Sequence, residues 1–242
     1  MDLSRATWTE VRDADPDVAL LPTGSTEQHG PHAALGTDAV IASRIAETVA
    51  DETGALCLPA VRVGVSPEHR GFDGTLSLRP DTFRAVVRET LASAAAHGVE
   101  ACVAVNGHGG NVPALEEVCA DLTRDGTVFA TAWTWWDAVD PEDVADGDVD
   151  TTALGHAGPL ETAMLLHLAP ELVGDDRPAG ADGWGEWVES AQVAYDAADF
   201  TDDGVVGDAA DADAATGEAL FEEATASLAR LVDWLRANRV DG

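Results

Sequence analysis

A chain of 242 residues is long enough to enclose a sizeable core, and hydrophobic residues at 45% exclude a wholly disordered acidic polymer. Against 45 Asp and Glu stand 13 Lys plus Arg, a formal net charge of -32, which excludes a nucleic-acid or anionic-membrane partner because polyanions would be repelled. Every basic position is arginine and alanine is heavily used, a composition that points to a halophile whose acidic, lysine-poor surface stays soluble in concentrated salt.

The segment MDLSRATWTEVRDADPD has no basic stretch followed by an apolar run, and nothing reaches the ~18 apolar residues of a membrane span, so the expectation is a cytoplasmic protein. Val18 to Leu21 is a short apolar run closed by Pro-Thr-Gly. It reads as a buried strand, as do Ala55 to Leu58, Ala101 to Val105 and Val128 to Ala132. Asp38 to Thr53, Pro80 to His97 and Val112 to Arg124 carry apolar residues three and four apart, with a cap or proline near each start, and read as helices. The Asp-rich Asp137 to Asp150 reads as a solvated loop. An apolar helix then runs to Leu168, an acidic loop covers Asp199 to Asp213, and a last helix covers Thr216 to Asn238. The alternation predicts one α/β domain over residues 1–242, a three-layer, mostly parallel sheet flanked by helices, with its ligand site beyond the carboxyl ends of the strands. Cys57, Cys102 and Cys119 form no CxxC pair and read as buried free thiols.

The chemistry-bearing residues cluster after those strands. Gly24-Ser25-Thr26-Glu27-Gln28-His29-Gly30-Pro31-His32 follows the first, and Gly36-Thr37-Asp38 opens the next helix. Glu27 and His29 alternate along an extended segment, so both side chains can face one way. Asn106-Gly107-His108-Gly109-Gly110-Asn111 follows the Ala101 to Val105 strand, and Gly155-His156-Ala157-Gly158-Pro159-Leu160-Glu161-Thr162 adds an imidazole and a carboxylate. Imidazoles and carboxylates without thiolates suit a catalytic zinc, manganese or ferrous ion. Five candidate ligands exceed the needs of one open zinc site, whereas two ions about 3.5 to 4 Å apart, bridged by a carboxylate, use them all. Asp38 is taken as the bridge.

These motifs, with Glu68-His69-Arg70-Gly71-Phe72-Asp73-Gly74-Thr75 between them, resemble the creatininase family of metal-dependent amidohydrolases from about Leu20 to Leu168. The resemblance implies a creatininase-like fold, a two-metal site and hydrolysis of a non-peptide C–N bond of a small-molecule substrate. It also implies a homo-oligomer, with a hexamer expected. It implies that Glu27, His29, Asp38 and His108 are metal ligands with Asp38 bridging, and that His156 handles the substrate proton. Creatinine-hydrolysing members carry a ligand glutamate two residues after the histidine matching His108, where this chain has Gly110. Glu161, which matches another family glutamate, is assigned as the fifth ligand, with general acid as its alternative. The family includes an archaeal deformylase of a formylamino ribosylaminopyrimidine phosphate on the route to riboflavin and deazaflavins, which the composition makes the expected activity. Creatinine hydrolysis and trimming of a cofactor-precursor peptide are the alternatives. The expected mechanism is attack by a water activated between the two ions on an amide or formamide carbon.

Several residues carry a plainer reading. His97 and His167 on helices read as structural, and Thr37 as a helix cap. His32 reads equally as a partner that orients a ligand and as a turn residue. Glu68 and His69 read as turn residues or as pocket lining. Ser25 lacks the G-x-S-x-G setting of a nucleophile. The NGHGGN loop lacks the spacing of a P-loop, so a substrate phosphate would fall to the following helix start and Arg70. Trp133, Trp135 and Trp136 read as packing residues first and as a stacking platform second.

Overall fold

The computed structural model describes residues 1–139, 155–210 and 212–240. Four short apolar strands, β1 (Val18–Thr23), β2 (Leu56–Cys57), β3 (Ala101–Asn106) and β4 (Phe129–Thr134), pair in parallel in the order β2-β1-β3-β4. All four expected strands are present within a residue or two of their predicted bounds. Most of the predicted loop Asp137 to Asp150 lies outside the described residues.

The helices joining the strands are α2 (Thr37–Thr53), α3 (Pro80–Ala95) and α4 (Val112–Arg124). Two more follow, α5 (Pro159–Leu168) and α6 (Ala214–Asn238). A short helix, α1 (Trp8–Ala14), precedes β1. The two-residue period of β1 sorts its side chains onto opposite faces. Val18 and Leu20 pack with Ile41, Ile45 and Val49 of α2, Leu160 and Met164 of α5 and Leu220, Leu228 and Val232 of α6. Ala19 and Leu21 pack with Phe83, Val87 and Leu91 of α3 and Leu115, Val118 and Leu122 of α4. The result is the expected three-layer α/β arrangement, each face of the sheet covered by helices. The three cysteines are free and buried, and burial pushes each thiol up to about 12.

The strand order decides where a site can form. The chain leaves β1 across the α2 face to reach β2 on one side, and leaves β3 across the α4 face to reach β4 on the other. The carboxyl ends of β1 and β3 are therefore neighbours, Thr23 opposite Asn106, with their outgoing loops parting to open a crevice. Two glycines bring the start of α2 against that crevice. A Cβ at Gly24 would meet Ala39 N at 2.5 Å, and one at Gly107 would strike the Asp38 carbonyl oxygen. Only hydrogen fits at either place, so the first turn of α2 rests directly on both strand ends and carries Asp38 there.

Gly107→Ala is expected to force α2 away from the sheet and to lower stability by about 1–3 kcal/mol. Thermal unfolding of the two proteins in the same buffer measures it, and an unchanged midpoint would show that the contact is not required.

Candidate metal centre

The crevice gathers residues from three loops and the first turns of two helices. Glu27 and His29 come from the loop after β1, Asp38 from the first turn of α2, and His108 from the loop after β3. His156 precedes α5, and Glu161 lies in its first turn. All six are buried. His29 Nε2 lies 2.8 Å from Asp38 Oδ1 and 3.9 Å from Glu161 Oε2. His108 Nδ1 lies 3.1 Å from Glu27 Oε1 and 3.4 Å from Asp38 Oδ2. The two oxygens of Asp38 thus face different imidazoles.

Main-chain carbonyls fix which nitrogen of each ring is open. His29 Nδ1–H donates to the Glu27 carbonyl at 3.1 Å, and His108 Nε2–H donates to the Val65 carbonyl at 2.8 Å. That leaves His29 Nε2 and His108 Nδ1, the nitrogens a metal would take once they lose their protons, directed at the carboxylates. Both oxygens of Glu27 and Oδ2 of Asp38 are buried without a hydrogen-bond partner. Buried anionic oxygens left unpaired are costly, and a cation is the simplest group to complete them. Two groupings, Glu27 with Asp38 and His108, and His29 with Asp38 and Glu161, have ligand atoms close enough to share one ion each, with Asp38 common to both. A third, Glu27 with His29 and His156, shares Glu27 with the first and His29 with the second. The donor set therefore fits a pair of divalent cations.

Electrostatics follow from burial and charge. Burial pulls the His29 imidazole down, but Asp38, Glu161 and Glu27 outweigh it and raise it to about 10. His108 is likewise carried well above its ordinary value, Glu27 and Asp38 overcoming burial. Asp38 moves the other way, held well below the carboxylate range by His29 and His108 despite burial. Glu161 is pushed up to about 7 by burial, opposed by His29 and helped by Asp38. Its Oε2 accepts the Ala157 N–H at 2.7 Å, and Ala157 holds a left-handed backbone, φ 52°, at that point. Burial drives His156 well below its ordinary value, and its Nε2–H donates to the Gln28 carbonyl at 2.6 Å.

Beside these residues is a cavity of about 460 Å³ whose lining includes Glu68, His69, Gly110, Trp136, Trp184 and Tyr195. Glu68 and His69, weighed as turn or pocket residues, are therefore pocket residues. Trp136 faces the cavity, whereas Trp135 is in the core. Trp184 and Tyr195 carry no motif that would have marked them. A Cβ at Gly110 would strike the Val65 carbonyl oxygen and lie 3.0 Å from Glu68 Oε1, so this backbone has no room for a side chain there, and the neighbouring carboxylate is that of Glu68.

The remaining residues take structural places. Ser25 is buried against Ser66 at 2.9 Å, and His32 bonds Thr162 at 3.0 Å. Thr37 bonds the Ala34 carbonyl at 2.7 Å rather than capping its helix. Asn106 and Asn111 stitch the NGHGGN loop to its surroundings, through His108, Gly24 and Val65. Arg70 is engaged by Asp196 at 2.8 Å and is absent from the cavity wall. His97 lines a separate apolar groove, and His167 packs on Phe221.

The family model for creatininase (creatinine amidohydrolase) matches residues 4–232. A mycofactocin precursor peptide peptidase from Mycobacterium ulcerans is 35% identical over 233 residues, 92% of this chain and 86% of that relative. The creatinine amidohydrolase of Pseudomonas putida is 30% identical over 71% of this chain and 73% of its own. A 2-amino-5-formylamino-6-ribosylaminopyrimidin-4(3H)-one 5'-monophosphate deformylase from Methanobrevibacter smithii is 34% identical over 103 residues, 42% of this chain and 44% of its own. Among solved structures, a mutant creatininase of Zn-Zn type superposes with a TM-score of 0.83 at 26% identity, covering 98% of each chain.

Loading the centre requires the lone pairs of His29 and His108, both protonated at neutral pH in the ion-free protein, so titration with Zn²⁺ at pH 8 is expected to expel about two protons. Affinity then rises with pH toward about 10, the His29 value, and falls more steeply below about 7 as Glu161 also takes up a proton. Calorimetry in buffers of differing ionisation enthalpy counts those protons, and pH-independent binding would contradict the assignment. Asp38→Asn, which keeps the size of the side chain, is expected to remove both ions by elemental analysis.

Proposed function

The chain belongs to the creatininase family and is a metal-dependent amidohydrolase, and from that premise we propose that it cleaves an uncharged amide C–N bond in a short peptide-like substrate. The observation that carries the substrate class is the character of the cavity. Its wall presents the carboxylates of Glu27, Glu68 and Glu161 and, among the described residues, no arginine, while Trp136, Trp184 and Tyr195 offer aromatic surface. A phosphate would find no guanidinium on that wall, whereas an amide flanked by apolar or aromatic groups would meet aromatic surface. The extended match to precursor-peptide peptidases supports the same reading.

In this reading Glu27, Asp38 and His108 would hold one divalent ion and His29, Asp38 and Glu161 the other, zinc and manganese both suiting the donors. When bound, the pair supplies Lewis acidity and an activated water. The protein supplies the rest. Asp38 spans the two halves of the site, and the backbone carbonyls of Glu27 and Val65 keep His29 and His108 in the ligating tautomer. His156, with Nε2–H committed to Gln28, has its Nδ1 lone pair open 3.8 Å from Glu27 Oε1. It takes the proton of the attacking water and returns it to the departing nitrogen, which is a poor leaving group until protonated.

The deformylase activity expected from the sequence has the partial Methanobrevibacter smithii match behind it, but it needs a phosphate host. Arg70 is engaged by Asp196, and Pro113 removes one N–H from the start of α4. Creatinine hydrolysis lacks the glutamate at Gly110. We also propose that residues 1–242 act as one domain in a homo-oligomer, for which Trp8, Trp187 and Val193 provide exposed apolar surface.

Metal-loaded protein in concentrated KCl, offered short aromatic peptides, creatinine and the formylamino pyrimidine nucleotide, is expected to hydrolyse the peptides and to spare the nucleotide when products are identified by mass spectrometry. Chelation should abolish turnover, and zinc or manganese should restore it. Exclusive deformylation of the nucleotide would overturn the substrate assignment.

A further inference from the structure

Gln28 is held from both ends by the main chain. Its Oε1 accepts the Gly30 N–H at 2.9 Å and its Nε2 donates to the Gly204 carbonyl at 3.0 Å, which settles the orientation of the amide. The remaining Nε2 hydrogen reaches His69 Nδ1 at 2.8 Å. A ring nitrogen that accepts from an amide N–H carries no proton, so neutral His69 bears its proton on Nε2.

Among the described residues, His69 Nε2 finds no acceptor in bonding geometry. Glu27 Oε1 lies 3.4 Å away and takes no hydrogen bond. The ring itself lines the cavity, clamped by the His156 ring at 4.1 Å and the Trp184 ring at 5.4 Å between centroids. Gln28 thereby assigns opposite tasks to two stacked imidazoles. Its carbonyl takes the Nε2–H of His156 and leaves that ring a free lone pair; its side chain fills the Nδ1 lone pair of His69 and leaves that ring a free N–H.

We infer that His69 is a catalytic residue, a fixed hydrogen-bond donor to the carbonyl oxygen of the scissile amide; this rests on the amidohydrolase reading above. As the water oxygen bonds to the carbonyl carbon, the C=O π pair moves onto oxygen, where the Nε2–H of His69 stabilises the growing charge without giving up its proton. His156 receives the water proton and passes it to nitrogen as the C–N bond breaks, leaving the acid and the amine. The same tautomer keeps His69 from serving as a metal ligand.

Two measurements on the metal-loaded full chain decide it. Ring ¹⁵N NMR is expected to show His69 as the Nε2–H tautomer from about pH 6 to 8, and an Nδ1–H or metal-bound pattern overturns the inference. His69→Ala is expected to lower kcat about 100-fold with KM and metal content unchanged. The loss should be equal for p-nitrophenyl acetate and p-nitroacetanilide, since the donor acts on the carbonyl that both share. His69→Gln, which keeps an N–H donor, should recover part of the rate. A loss confined to the anilide, a loss of bound metal, or no loss at all overturns it. If the wild type cleaves neither acyl probe and no member of the substrate panel, the amidohydrolase reading fails, and the ring spectrum still judges His69 separately.

Discussion

The site depends on how closely the first turn of α2 approaches the ends of β1 and β3. Hydrogen-only positions at Gly24 and Gly107 allow that approach, and Asp38 enters the crevice as its result. Once there, Asp38 is surrounded by His29, His108, Glu27 and Glu161, all buried, where charges interact more strongly than at the surface. Protons on His29 and His108 balance the carboxylates when no ion is present. Divalent cations satisfy the same carboxylates while freeing the imidazole lone pairs. Proton and metal occupancy are thus two solutions to one electrostatic problem created by packing.

Above that centre, the division of labour is set by hydrogen bonds to groups that do not titrate. Carbonyls of Glu27, Gln28 and Val65 each accept from one histidine ring, and the Gln28 amide donates to a fourth. Four imidazoles in a small volume would otherwise exchange tautomers and compete for ions. The wiring fixes which nitrogen each ring presents, and on the roles proposed above it would separate two ligands, a base and a donor.

Much of this was legible in the residue order. Apolar runs of four or five residues bounded by turn residues marked β1 to β4, three-to-four spacing marked α2, α3, α4 and α6, and an apolar run marked α5, because those patterns express burial directly. Glu27, His29, Asp38 and His108 were visible in short polar clusters after apolar runs, and His156 and Glu161 in one that precedes an apolar helix, with the family resemblance supplying their expected roles. Less was visible where the determinant is a distant contact. His69 acquires its role from Gln28, 41 positions away, and Gln28 from Gly204, 176 positions away. Trp184 and the hairpin of β5 (Glu186–Val188) and β6 (Ala191–Ala194) face solvent or the cavity mouth, so no core periodicity announces them. α1 has a capping box, Thr7 with Glu10, that could have flagged it, but its seven residues bury no side chain fully.

The segment around Gly204 and Val206 has a bearing on how the protein is made. Val206 exchanges both main-chain hydrogen bonds with His156, and Gly204, whose φ of 82° and lack of Cβ leave room for the Gln28 amide, completes the wiring of His69. The four strands and helices α1 to α4 are encoded before residue 135, whereas α5, α6 and the Gly204 segment come later, so the remaining cover of one sheet face and the wiring of His69 arrive together. A chain cut short before Gly204 would carry Glu27, His29, Asp38 and His108 without the carbonyl that orients the Gln28 amide, and hence without the donor on His69.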